Sequence, residues 1–336
     1  MSRKRRNPSA AKARRGRIRA EKRARRAKLS DLCDAVIAAY PGCSLATERI
    51  LHDLLVLIEG QEFDSIEDLK ARLAELIHSA PVYEMARVLK QQDPKWRAQE
   101  LAYEAMEADD PFEALRLVSE AKKLDPDSTD AERLMVALLP MELDNRIQLM
   151  REVVRKAERN FGEKFLEENK GHFWGMLSTR PHMRAMQDLG ALLTKADRLD
   201  EAIAVYERML ELNPNDNQGV RYALLALYLA TRREEGATEL LKRYPGEEDY
   251  SAVCAWGRVI IHWLANRETD ARSALVHARS VNPFVEGYLA GKQQAPECLP
   301  SFYHPGDDSE AQIAAAELSL ACSRLPEFTA WLSKQQ

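Results

Sequence analysis

The sequence predicts an all-α protein in which pairs of helices repeat along the chain, preceded by a shorter helical region. The first reason is composition: 45% of the 336 residues are hydrophobic and only 14 are glycine, which favours packed helices over sheets. The second is that apolar residues recur at helical spacing. The third is a pattern of small residues and prolines that returns about every 34 residues from Asp93 onward.

Residues 1–28 form a polybasic arm with a net charge of +13, whereas the rest of the chain carries −17. Apart from Met1, Ile18 is its only large apolar residue, so we expect the arm to be disordered. It lacks aromatic residues that could stack on bases, so any binding to nucleic acid should be to phosphate and strongly salt-dependent. Alternatively, the arm binds an acidic protein surface, ribosomal RNA or the acidic remainder of the same chain, or it is a solvated tail that binds nothing. The candidate phosphate-binding residues are Arg3, Lys4, Arg5, Arg6, Arg14, Arg15, Arg25 and Arg26.

Residues 29–92 predict a small helical region without a repeat pattern. Leu29 to Tyr40 has apolar residues at helical spacing, and residues 51–58 form a second apolar face. Ser65, followed three residues later by Asp68, predicts a capping box at the start of a third helix.

The clearest repeat unit runs from Met183 to Asp216. Its pattern residues fall on positions 4, 7, 8, 11, 20, 24 and 32 of the unit: Met186, Leu189, Gly190, Leu193, Ala202, Tyr206 and Pro214. This is the tetratricopeptide pattern, in which small residues let the two helices of a pair approach closely and a proline ends the second helix. We therefore predict that Gly190 and Ala202 lie where the two helices cross.

Weaker units flank this one, so we assign residues 93–283 to tetratricopeptide-like repeats of a helical solenoid. Pro214 and Pro283 are 69 residues apart, about two units, but Pro126 and Pro214 are 88 residues apart. The excess predicts an insertion at 161–180. Residues 284–336 predict an irregular arm followed by capping helices.

Three segments resemble a known family, the bacterial relatives of the suppressor of tumorigenicity seven family. They are GHFWGMLSTRPHMRA (171–185), LNPNDNQGVRY (212–222) and VNPFVEGYLAGKQQAPECLPSFYHPGDDSEA (281–311). The resemblance covers residues 93–336 and implies a helical-repeat interaction protein without an established enzymatic activity. The human members of the family span the membrane near the N-terminus. This chain has a basic arm and a helical region there, so membrane placement is not expected.

The segment from 171 to 184 concentrates residues that repeat packing does not require. His172, Trp174, Arg180 and Arg184 are therefore candidates for binding a partner, since aromatic and arginine side chains dominate many interfaces. The alternative is that the aromatic residues plug the insertion into the core, while His172 and Arg180 satisfy buried carbonyl groups.

A second candidate surface lies at the start of the next unit. Gln218, Arg221 and Tyr222 could contact an extended peptide in the concave groove formed by the first helices of the pairs. The alternative for the neighbouring asparagines, Asn215 and Asn217, is that they cap the helix. Gln187 and Ala191 replace the Lys and Asn that capture of a peptide carboxylate requires in some chaperone-binding relatives.

The sequence lacks the motifs of the common enzyme classes, and its five cysteines are scattered without the spacing of a zinc site. No apolar run reaches the roughly 18 residues of a membrane helix. The sequence therefore predicts a cytoplasmic, non-enzymatic protein- or peptide-binding scaffold without a cofactor. The alternative is a nucleic-acid- or ribosome-associated factor that acts through the arm.

Overall fold

The computed structural model describes residues 45–335, except residues 59–60, 62, 80–81, 91–92, 295 and 297. Every regular element within these residues is helical, so the predicted all-α class is confirmed. The predicted arm at 1–28 and the predicted helix at Leu29–Tyr40 lie outside the described residues. None of the described helices combines the length and the apolar character that crossing a bilayer requires.

The chain divides into two compact units, an N-terminal unit that ends at Ala185 and a C-terminal unit that begins at Met186. The helices of the N-terminal unit are α1 (Leu45–Ile58), α2 (Ile66–Ser79), α3 (Val82–Lys90), α4 (Pro94–Glu107), α5 (Pro111–Leu124), α6 (Thr129–Leu138), α7 (Leu143–Phe161) and α8 (Glu163–Glu168). Two short 3₁₀ turns, Phe173–Gly175 and Leu177–Thr179, lead into α9 (Arg180–Lys195), within which the division falls. The predicted domain boundaries remain predictions.

Short polar side chains cap several helices of the N-terminal unit. Asp93 accepts a hydrogen bond from the Lys95 amide at 2.8 Å, directly before the proline that begins α4. Ser65 accepts one from the Asp68 amide at 3.0 Å, as the predicted capping box requires. The reciprocal bond differs, because the Asp68 carboxylate accepts from the Asp64 amide at 3.4 Å.

The C-terminal unit continues with α10 (Leu199–Leu212), α11 (Val220–Ala230), α12 (Glu234–Arg243), α13 (Ala252–Leu264), α14 (Glu268–Val281), α15 (Val285–Leu289), α16 (Asp308–Arg324) and α17 (Pro326–Leu332). Three of its helix pairs share one turn geometry, with a left-handed residue at Asp197, Arg232 and Asn266 (φ 60°, 57° and 56°). The arginine after each donates its amide five residues back, at 2.9, 2.8 and 3.0 Å: Arg198 to Leu193, Arg233 to Tyr228 and Arg267 to His262. These identical turns, 35 and 34 positions apart, confirm the predicted helical repeat.

Gly190 lies where helix packing leaves no room for a side chain. A Cβ atom added to it would lie 2.6 Å from Cζ of Tyr206, a residue of α10. Ala202, one turn earlier on α10, is fully buried. The close approach predicted at Gly190 is confirmed, with the Tyr206 ring as the group that fills the space, and Ala202 is buried.

Helix α16 packs against α11 and α13, which are the first helices of two successive pairs. Its N-terminal end is anchored by the buried carboxylate of Glu310. This carboxylate accepts hydrogen bonds from the Ala252 amide at 3.1 Å, the Asn282 side-chain amide at 3.0 Å and the Gly306 amide at 2.7 Å. The predicted C-terminal helix is therefore an integral part of the C-terminal unit.

Candidate partner-binding site

The N-terminal unit contains a cleft of about 750 Å³. One wall comes from α4, where Trp96, Gln99 and Tyr103 follow the three- and four-residue spacing that places side chains on one face of a helix. Other walls come from α1, from the turn between α5 and α6, and from α7 and α8. A volume of this size is typical of sites that bind a ligand or a short peptide segment.

Aromatic rings pack against one another along the cleft. The His52 ring lies edge-on to Trp96, with 4.3 Å between the ring centroids, and to Tyr103, with 5.6 Å. Phe161 and Phe165 also line the cleft and stack on each other, with 5.2 Å between their ring centroids. Burial, reinforced by the nearby Lys90 ammonium, lowers the pKa of His52 to about 3, so its ring is neutral at physiological pH.

A buried ion-pair network supports the cleft through Glu48. The carboxylate of Glu48 accepts hydrogen bonds from the Tyr103 hydroxyl at 2.8 Å, from Arg180 at 3.2 Å and from Arg184 at 2.9 Å. These contacts tie α1 to α4 and to the first turns of α9.

Asp130 is the second carboxylate of this network and is fully buried. It accepts hydrogen bonds from Arg184 Nε at 3.0 Å, Gln99 at 2.9 Å and Arg133 at 3.2 Å. Burial alone would raise the pKa of Asp130, but the charges of Arg184 and Arg133 outweigh it and hold the pKa at about 2. Asp130 therefore stays ionised at neutral pH.

The segment predicted to bind a partner at 171–184 faces mostly inward. Trp174 is 9% exposed and Arg180 is 0% exposed, with the Arg180 guanidinium 4.9 Å from the Trp174 ring centroid. Arg180 Nε also donates to the Trp174 carbonyl oxygen at 2.9 Å. Trp174 and Arg180 are therefore packed inside the unit, as the alternative interpretation of this segment expected. His172, which that interpretation also placed inside, is exposed. The segment reaches the cleft instead through residues 175–178 and Pro181.

The second predicted surface belongs to the C-terminal unit and centres on Arg221. Its guanidinium donates to Asp216, to Glu247 and to the Tyr222 hydroxyl, each at 3.0 Å. It also lies 4.6 Å and 5.1 Å from the ring centroids of Tyr222 and Tyr244. Arg221 is therefore held within its own unit by charge and by aromatic faces.

Two neighbouring predictions have different outcomes. Gln218 donates to the Gln187 side-chain oxygen at 2.9 Å, so it lies beside α9, the first helix of the preceding pair. The proposed capping by the asparagines is wrong, because the residue between them, Asp216, accepts the Val220 and Arg221 amides at 2.8 and 2.9 Å. Asn215 and Asn217 are exposed.

One cluster that the sequence did not predict has the composition of a metal site. His52, Asp53 and Glu100 place possible ligand atoms within 4.8 Å of one another. The Lys90 ammonium, however, contacts both carboxylates, with 2.6 Å to Glu100, and Arg49 also pairs with Glu100. The two cations already balance the carboxylate charge, so this cluster is an ion-pair network.

The comparisons with known proteins support the repeat geometry described above. Residues 193–253 match the tetratricopeptide repeat. The matched stretch contains α10, α11 and α12 with their turns, so tetratricopeptide-type pairs are present in the C-terminal unit. The search among curated proteins found no match.

Proposed function

We propose that this protein is a non-enzymatic scaffold that binds an extended segment of a partner protein in the aromatic cleft of its N-terminal unit. The observation that supports this best is the cleft itself, with about 750 Å³ of space beside the rings of Trp96, Phe161 and Phe165. Concave sites with aromatic walls and a few polar groups are typical of ligand binding, and tetratricopeptide-type repeats generally bind proteins or peptides.

The corresponding surface of the C-terminal unit supports the same choice. The first helices of its repeat pairs, α11 and α13, are covered by α16, which buries Ala311, Ala314, Leu318 and Ala321. An external peptide would have to displace a helix of the chain itself from this surface. No helix of the described residues fills the N-terminal cleft in this way.

The residues predicted from the sequence enter this proposal in two ways. Arg180 and Arg184 support the wall of the cleft through their contacts to Glu48 and Asp130, and Trp174 packs against Arg180. His172, Gln218, Arg221 and Tyr222 remain predictions of partner contact.

The test is selection of binding peptides from a displayed peptide library, followed by measurement of their Kd for variants of the full chain. We expect Trp96→Ala and Phe165→Ala each to weaken binding at least tenfold without loss of helicity. Phe112→Ala is the control, because Phe112 is 82% exposed and does not line the cleft. Unchanged binding in both cleft variants would place the peptide elsewhere.

We keep nucleic-acid binding by residues 1–28 as a second candidate because of their +13 charge. A gel shift with duplex RNA and DNA at two salt concentrations tests it, and full binding after deletion of the arm rules the arm out. Kinship with the suppressor of tumorigenicity seven family is also part of the proposal and is supported by the three similar segments. A cytoplasmic location is proposed because the cysteines are scattered and no apolar run is long enough for a membrane helix.

A further inference from the structure

We propose that the chain's own polybasic arm, residues 1–28, occupies the aromatic cleft, and that a partner segment binds by replacing it. This inference rests on the proposed function, because it takes the same cleft as the binding site. It adds the class of ligand, which is an arginine-rich segment with little apolar surface.

The charge at the edge of the cleft fits such a segment. Three carboxylates line it, those of Asp93, Asp125 and Asp127, against the single ammonium of Lys95. Asp93 and Asp127 are exposed, and Asp127 keeps 67% of its side-chain surface exposed although Lys156 lies 3.1 Å away. The edge therefore keeps carboxylate oxygens that can accept hydrogen bonds from guanidinium groups.

The aromatic wall adds a second reason to favour arginine. A guanidinium group stacks on the face of Trp, Tyr or Phe while its edge donates hydrogen bonds, which suits a cleft with rings on one side and carboxylates on the other. The C-terminal unit already shows this chemistry in the same chain, where Arg221 contacts the rings of Tyr222 and Tyr244 and pairs with Asp216 and Glu247.

The attachment of the arm places it within reach. The described chain begins at Leu45, the first residue of α1, and His52 of the same helix lines the cleft about 10 Å further along at the rise of an α-helix. Residues 29–44 join the arm to α1 and, with Leu29–Tyr40 helical as predicted, span up to roughly 30 Å, which exceeds this distance. An attached ligand on a short tether acts at an effective concentration in the millimolar range, so even weak contacts fill the cleft.

The test is photo-cross-linking within the full chain. A photoreactive phenylalanine analogue replaces Phe165, which lines the cleft, and in a second protein it replaces Phe112, which does not. We expect the monomer with the probe at 165 to form cross-links to residues 1–28, identified by mass spectrometry after cleavage at acidic residues. The probe at 112 should form none.

Charge variants make the test specific. The double substitution Asp93→Asn and Asp127→Asn should lower the cross-link yield from position 165 several-fold. The fold should be kept, because asparagine at position 93 still caps α4. The matched control is Asp109→Asn with Glu163→Gln, two exposed acids of the same unit that do not line the cleft. An equal loss in both pairs would show only a general attraction and would overturn the proposal.

The outcomes also separate this inference from the proposed function. If a selected peptide cross-links to position 165 and the arm does not, the cleft is a binding site and the inference is wrong. If neither cross-links, both are wrong. If the arm binds RNA in the gel shift and forms no cross-link to position 165, the inference is wrong and the nucleic-acid alternative is supported.

Discussion

The carboxylate of Glu48 and the guanidinium of Arg184 lie 2.9 Å apart, although 136 positions separate them in the sequence. Glu48 is 3% exposed and also accepts a hydrogen bond from Arg180, so one carboxylate balances two cations in the interior of the N-terminal unit. Removing one partner of a buried pair leaves the other charged and unpaired, which costs more than the pair itself contributes. This relationship gives the first prediction.

We expect Glu48→Gln to lower the free energy of unfolding by about 3 kcal/mol, because Arg180 and Arg184 both lose the Glu48 carboxylate in a site with little water, and only Arg184 keeps Asp130 as a second carboxylate partner. Urea unfolding followed by circular dichroism measures it. Glu107→Gln is the control, since Glu107 is 43% exposed and pairs with Arg49, and its effect should stay below about 1 kcal/mol. Equal effects of the two substitutions would mean that the network does not support the fold.

Gly190→Ala should destabilise the C-terminal unit by about 2 kcal/mol, since a methyl group meets the Tyr206 ring at 2.6 Å. Thermal unfolding measures the change. Tyr206→Ala is itself destabilising, but in that background the cost of Gly190→Ala should largely disappear. Additive effects in the double variant would show that the two residues do not contact each other.

His52 should make stability depend on pH. Its pKa is about 3 in the folded chain against an ordinary value of 6.5, so the unfolded chain binds the proton more readily and stability falls as pH drops below 6.5. Between pH 7 and pH 5 the loss from this residue is about 2 kcal/mol. Urea unfolding at both pH values checks it.

His52→Phe should remove most of that difference while keeping a ring against Trp96 and Tyr103. His277→Gln should not, because His277 is 41% exposed and lies beside Asp249. A pH dependence that survives in His52→Phe would assign it to other groups.

Glu310→Ala should loosen α16, because three donors lose their acceptor, and we expect a loss of about 2 kcal/mol or more. Thermal unfolding and dye binding to exposed apolar surface measure this. Glu327→Ala is the matched control, since Glu327 is 64% exposed and pairs with Arg232. If Glu310→Ala behaves like the control, α16 is not held at its start as described here.

The sequence predicted the features that recur at a fixed interval. Gly190 lies against the Tyr206 ring of the neighbouring helix and Ala202 is buried, and such small residues stand out at their positions in a repeat. The shared turns at Asp197, Arg232 and Asn266 carry three different residues, so the common geometry was visible only in the structure. Predicting the all-α class required only the helical spacing of the apolar residues and the scarcity of glycine.

The sequence could not predict contacts between residues that are far apart in the chain and not related by the repeat period. Nothing in the local pattern links Glu48 to Arg180, 132 positions later, so the cleft that they support was not found. The sequence around Trp174 and Arg180 is equally compatible with side chains that face a partner and with side chains that pack inside the unit. Asp216 could not be distinguished from Asn215 and Asn217 as a cap, since all three side chains can accept amide hydrogen bonds.

The central claim is that a partner segment binds in the N-terminal cleft. Hydrogen–deuterium exchange of the full chain with and without a selected peptide tests it most directly, because it reports both candidate surfaces in one measurement. We predict slower exchange at residues 93–103 and 174–181, because a selected peptide binds the cleft more tightly than the arm that it replaces, with residues 218–247 unchanged. Protection confined to residues 218–247 would contradict the claim.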